Sequence, residues 1–146
     1  VTVTAAQDLC LLTGAAGKMM EVIRVWVACP DTTLATGQDL SLRCRFLPAT
    51  VTVGSGGATG ITPSKNDPGD AACSSATCGT NNTTKATTSG TAVIVWSDGC
   101  HLFQGHNLPF ENPVTVGPSQ AFVYELLSTV SGTVTLSGGL EFLEKG

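Results

Sequence analysis

The sequence is short of charge. Asp, Glu, Lys and Arg make up 12% of its 146 residues, about half the usual share of roughly 25%. Seven residues are cationic and the net charge is −4. That balance excludes a surface that tracks a phosphate backbone, so no direct nucleic-acid ligand is expected. Aromatic residues are also scarce, at five Phe, two Trp and one Tyr, which leaves little surface for stacking. No run of 18 apolar residues occurs, so no helix is expected to span a membrane. No cationic segment followed by an apolar stretch opens the sequence, and no signal peptide is read. There is no G-x-S-x-G elbow or comparable nucleophile motif.

In place of charge stand 21 Thr, 11 Ser and 17 Gly, a third of the chain. Apolar residues still account for 42%, too many for a disordered segment. A chain of this length makes one domain, residues 1–146, and folding buries roughly 68% of its unfolded surface. A neutral, Thr-rich exterior suits broad protein–protein contacts, where Lys and Glu are depleted. It suits the surface of a secreted domain almost as well.

The pattern is β throughout. Val1 to Thr4 alternates strictly and leads into Leu9, Cys10, Leu11 and Leu12. A second strand runs from about Lys18 to Cys29, with Ile23, Val25 and Val27 on one face and Val22, Arg24 and Trp26 on the other. Pro30 closes it. Leu40, Leu42, Cys44 and Phe46 then alternate with Ser41, Arg43 and Arg45, giving an apolar face and a polar one, whose two cations either meet an acidic neighbour or, the simpler reading, are solvated. Ala92 to Trp96 is continuously apolar and reads as a strand buried on both faces. A mixed segment follows from His101 to Phe110, with a short strand at Val114 to Val116. Ala121 to Leu127 and Thr133 to Leu143 are the last strands. The expected fold is an all-β antiparallel sandwich of seven to nine strands, with a jelly roll as one form of it.

Residues 53–90 interrupt this pattern and read as one long loop insertion. From Gly54 to Gly90 there are seven Gly and no aromatic residue, a composition that cannot build its own core. Two readings stand side by side: a mobile surface insertion, or an excursion that reaches another molecule. On the second reading the inter-subunit contacts come from Gly54, Gly60, Ile61, Pro63, Asp67, Pro68, Asn81 and Asn82, together with the N-terminal segment.

No constellation of side chains points to catalysis, and the chain reads as a non-enzyme without a cofactor. Cys100 and His101 are adjacent, which on a strand turns them to opposite faces. Asp67 and Asp70 flank Pro68-Gly69, where turn chemistry accounts for both. Cys73 and Cys78 share their spacing with His101 and His106, at the margin of the zinc-site pattern, and no metal site is assigned. Asn81 and Asn82 head two overlapping N-x-Thr sequons, which matter only in a secretory pathway. Six cysteines, Cys10, Cys29, Cys44, Cys73, Cys78 and Cys100, allow 15 pairings. At least one pair is expected to be oxidised, within or between chains, and a local Cys73–Cys78 bridge would pin a segment that cannot pin itself. Cys44 reads equally as a buried thiol on the apolar face of its strand.

Several segments in order resemble small β-rich proteins encoded among the structural genes of tailed bacteriophages. They are Ala6-Gln7-Asp8-Leu9, Leu47 to Gly57, Asp67 to Ala72, Asn81 to Thr84, Ser97-Asp98, Gly117 to Ala121 and Leu136-Ser137-Gly138. These mark turns and strand starts across most of the chain. The resemblance implies a virion component made in the host cytoplasm, most simply a capsid decoration or cement protein on the exterior of the particle. It further implies the major capsid protein as partner and self-association as a homotrimer. A tail or neck component of the same particle is an alternative. A secreted carbohydrate-binding sandwich is another, with Trp26 and Trp96 as its aromatic candidates. Trp96 lies in an apolar run and reads as core, whereas Trp26 shares a face with Arg24 and reads as exposed.

Overall fold

The computed structural model describes residues 2–30, 37–73 and 77–145. Among them the chain is all β, with no helix. The strands are β1 (Thr2–Val3), β2 (Gln7–Thr13), β3 (Met19–Ala28), β4 (Asp39–Leu47), β5 (Val51–Thr52), β6 (Ala58–Ile61) and β7 (Thr77–Asn82). They continue as β8 (Thr87–Thr88), β9 (Val93–His101), β10 (His106–Val116), β11 (Ala121–Leu126), β12 (Val134–Thr135) and β13 (Ser137–Lys145).

Their pairing follows one rule. β1 pairs with β12, β2 with β11, β3 with β10, β4 with β9, β5 with β8 and β6 with β7, all antiparallel. The chain is therefore one long hairpin that turns back between Ile61 and Thr77 and is rolled up along its length. That is the connectivity of a jelly roll. Rolling brings β7 onto β2 and β4 onto β11, and β13 adds to the remaining side of β3. The result is a six-stranded sheet, β6-β7-β2-β11-β4-β9, facing a three-stranded sheet, β10-β3-β13.

The main core lies between these sheets. Leu12, Phe122, Tyr124, Leu42 and Cys44 from the large sheet pack with Met20, Val22, Val25 and Val27 from the small one. Phe110 meets Phe122 edge-on, with ring centroids 5.8 Å apart. Two bulges decide which residues take part. In β3 the register steps over Ile23, so Val22 and Val25 both point inward, and Arg24 and Trp26 share the outer face. Strict alternation had put Val22 on the outer face with them and Ile23 on the inner one. In β2 the register steps over Leu9, which keeps Cys10 and Leu12 inside but turns Asp8 to the outer face with Glu125.

The outer face of the large sheet is covered as well. Residues 53–90 are not one loop: they hold β6, β7 and β8, and the surrounding segment crosses the sheet as a strap. Ala86, Val51 and Ala92 of the strap close over Leu11, Leu47, Ala121 and Val123. Every residue of β11 is buried in consequence. The segment from His101 to Val116 also differs from its expectation, because a single eleven-residue strand, β10, spans His106–Val116.

Candidate functional site

Under the strap lies a network of charge. The Glu125 carboxylate, with no exposed side-chain surface, forms ion pairs with Arg43 and Arg45 through Oε1 and with Lys85 of the strap through Oε2. The Arg45 and Lys85 distances are 2.9 Å and 3.0 Å. Asp8, equally buried, accepts a hydrogen bond from the Ala86 backbone N–H at 2.6 Å and lies 3.4 Å from Arg45 Nη2. Burial pushes the Asp8 carboxyl above its usual range, opposed by the Ala86 hydrogen bond and the Arg45 charge. Arg43 and Arg45 are thus not the solvated cations that their alternation suggested. They neutralise carboxylates of their own chain, and the acidic neighbours came from strands distant in sequence.

The other cations are engaged too. Arg24 pairs with Glu141, Lys145 with Glu21 and Lys18 with Glu144 on the small sheet. Lys65 donates to the backbone carbonyls of Pro68 and Asp70. All seven cationic side chains have a partner within the chain.

The cysteines fall into two neighbourhoods. Cys10 and Cys44 lie opposite Tyr124 on its two flanks, in β2 and β4, and Cys100 in β9 lies opposite Leu40. Cys78 in β7 lies opposite Leu12 and one diagonal step from Cys10. Cys29 and Cys73 are half-buried against the main core. Cys10, Cys44, Cys78 and Cys100 are free thiols. Burial pushes Cys10 and Cys44 up to about 12 and Cys78 to about 11, and Cys100 is raised for the same reason. These four thiols are protonated at neutral pH and are poor nucleophiles. His106 Nδ1 shares a hydrogen bond of 3.2 Å with the Tyr124 hydroxyl, and its ring lies 4.6 Å from that of Trp96. Burial lowers the His106 pKa and raises that of Tyr124, so both are neutral. Among the described residues no three His, Cys, Asp or Glu side chains gather as a metal site, and the Cys73/Cys78 and His101/His106 pairs are not brought together.

The candidate contact residues are divided between surface and interior. Asp67 and Pro68 stand exposed at the tip of the rolled hairpin, where Asp67 Oδ1 accepts from the Gly69 N–H at 2.8 Å, the turn chemistry expected of this motif. Gly60 is exposed in a left-handed conformation, and Ile61 and Pro63 are half-buried. Gly54 is buried, and a Cβ there would overlap the Thr84 carbonyl oxygen. Asn82 is buried, and the Asn81 side chain accepts a hydrogen bond from Gln7. Of the two sequon asparagines, Asn82 is buried and Asn81 is half-buried.

The surface feature that the sequence hid is the edge of the large sheet. Val93, Ile94 and Val95 were expected to be buried on both faces. They are 50%, 59% and 36% exposed, because β9 has a neighbour, β4, on one side only. Trp96 packs against the main core. The other three edges are blunted: β6 is four residues long, β10 carries Pro109 and Pro113, and β13 carries Glu141, Glu144 and Lys145. The first half of β9, Val93–Ser97, has only a bulge at Val95 and no charge, the first charged residue along the strand being Asp98. An open apolar edge of this kind is a template for another chain.

Comparison with family models, curated proteins and solved structures gives no match.

Proposed function

We propose that the chain is a capsid decoration protein of a tailed bacteriophage, a non-enzymatic subunit outside the virion that binds the major capsid protein, stabilises the shell and self-associates as a homotrimer. The observation that carries this reading is the exposed, uncharged edge at Val93–Val95. It gives an otherwise neutral exterior one place where a neighbouring subunit gains both backbone hydrogen bonds and apolar burial. Symmetry then lets one small patch be used many times over a shell. The engagement of all seven cations within the chain supports a protein partner rather than nucleic acid.

A second contact region is the tip of the hairpin around Asp67 and Pro68, the exposed part of the segment expected to reach a partner. Deleting 54–90 as a whole would strip β7 from β2 and remove Lys85 and Ala86 from the buried carboxylates. A cleaner variant replaces residues 63–70 with a short Gly/Ser linker. It should keep the fold and lose occupancy on the particle. Cys73 and Cys78 bracket the base of this tip, and their oxidation outside a reducing cytoplasm would clamp it. Intact mass before and after reduction then differs by two hydrogens per bridge.

The deciding experiment is to count copies of the protein in the DNA-filled particle band of a sedimented lysate. On the order of hundreds per particle is the expected result for a shell-covering subunit. A few copies would reassign the chain to the neck or tail, and absence would overturn the virion reading.

A further inference from the structure

On the outer face of the small sheet, β3 and the start of β10 enclose a depression of about 370 Å³ lined by Arg24, Trp26, Gln104, His106 and Asn107, with Val27 and Ala28 along its side. Arg24 and Trp26, two residues apart in β3, share this face. Trp26 leans across Gly139 of β13, where a Cβ would stand 3.0 Å from the indole Cζ2, so the missing side chain gives the ring room to lie along the sheet. Arg24 is held over the ring, with its guanidinium carbon 5.1 Å from the ring centroid and Nη2 2.7 Å from Glu141. Asn107 lies directly opposite Trp26 in the β3–β10 register. Gln104 is brought alongside by the turn before β10. There Gly105 adopts φ +67°, and a Cβ would come 2.9 Å from the Val27 carbonyl oxygen.

We propose that this depression is a binding site for an uncharged saccharide. The four contributing groups are what such a ligand requires. The C–H face of a pyranose carries partial positive charge and matches the electron-rich face of an indole. Its vicinal hydroxyls both donate and accept, as do the amides of Asn107 and Gln104, and Arg24 adds donors in a fixed fork. Both amide side chains are exposed. Other ligand classes fit less well. The one cation present is already balanced by Glu141, which disfavours phosphate or carboxylate. A purely apolar ligand would strip water from two amides and a guanidinium without replacing their hydrogen bonds. The site is shallow and holds one or two sugar rings, so its affinity is modest, with Kd on the order of 1 mM. This inference stands apart from the decoration reading and holds whether or not the chain rides on a particle.

The test is titration of the whole isotope-labelled chain with maltose, cellobiose and chitobiose, each to about 50 mM, followed by NMR. The signals to follow are the Trp26 indole N–H and the Gln104 and Asn107 side-chain amides. At least one sugar should shift all three in a saturable way. Trp26→Ala should weaken binding about tenfold or more and Trp26→Phe less, with Asn107→Ala intermediate. Asn107 is exposed, so that variant keeps the test valid even if Trp26→Ala fails to fold. The proposal is overturned if none of the three sugars moves these signals, or if the shifts survive unchanged in Trp26→Phe and Asn107→Ala.

Discussion

The strap returning through Thr83–Ala92 and the head of β9 at Val93–Trp96 adjoin in sequence, yet each occupies the environment that its composition would assign to the other. The strap is rich in Thr, and it lies against the large sheet with Ala86 fully enclosed. The head of β9 is a continuous apolar run, and three of its four residues face solvent. Burial here is governed by place in the sheet. A central strand such as β11 is enclosed whatever is laid over it, so a polar strap suffices once its Lys85 and Ala86 answer the carboxylates beneath. An edge strand keeps one side open however apolar it is, unless another molecule supplies the next strand.

That contrast can be broken most forcefully at Glu125. Replacing it with Ala leaves Arg43, Arg45 and Lys85 without their shared counter-ion. The expected loss, read from urea unfolding, is about 3–5 kcal/mol, the range for removing one member of a buried ion network. Glu125→Gln should cost less, since it retains the shape and one acceptor. A stability change below 1 kcal/mol in Glu125→Ala, as small as a surface pair gives, would mean that the strap is held by packing alone. Gly54→Ala tests the strap from the other side, because its Cβ meets the Thr84 carbonyl. A loss of about 1–3 kcal/mol is expected, as for overpacking elsewhere, together with faster amide exchange in Thr84 and Ala86.

A finer test uses pH. The Asp8 carboxyl is raised above its ordinary 3.8 chiefly by burial. A raised folded pKa means that the folded state holds the proton more tightly, so this contribution to stability is full below the unfolded value and is lost as pH climbs through the raised one. Asp8→Asn removes it. Between about pH 7 and pH 4 the variant's urea midpoint should therefore fall more steeply, or rise less, than that of the natural chain. Parallel profiles would show that Asp8 titrates alike in both states. The smallest effect belongs to the edge. Ile94→Gln should change the stability of the isolated chain by no more than about 0.5 kcal/mol, as expected at an exposed position. Its occupancy on the particle should drop, and undiminished occupancy would move the shell contact away from β9.

Strands with a polar and an apolar face could be read directly from the residues. Leu40, Leu42 and Cys44 are buried as their alternation requires, and Phe122, Tyr124 and Leu126 likewise. What alternation could not reveal were the points where a strand carries an extra residue. The bulge at Leu9 turns Asp8 outward, and the one at Ile23 gathers Val22 and Val25 on the same side. A bulge is set by the partner strand, and the partners lie far away in sequence. For the same reason Arg43 and Arg45 looked solvated, since nothing near them shows that Asp8 and Glu125 come alongside. The Trp26 site was half visible: the aromatic residue and Arg24 stand out in β3, but Gln104 and Asn107 join them only through the β3–β10 pairing.

The nesting of the strand pairs also fixes an order of assembly. Among the described residues the paired strands nearest in sequence are β6 and β7, at the tip, while β1 and β12 are paired at Thr2 and Thr135. Loop closure is cheapest at the tip and grows costlier toward the ends, so folding is expected to zip outward from the middle of the chain. On the ribosome, β2 and β4 must wait for β11, which emerges late and is the strand that joins them. Until then the large sheet exists as two separate halves. A nascent chain stalled before Ala121 would expose both inner edges at once, and chaperones or premature aggregation would be expected to act at that moment.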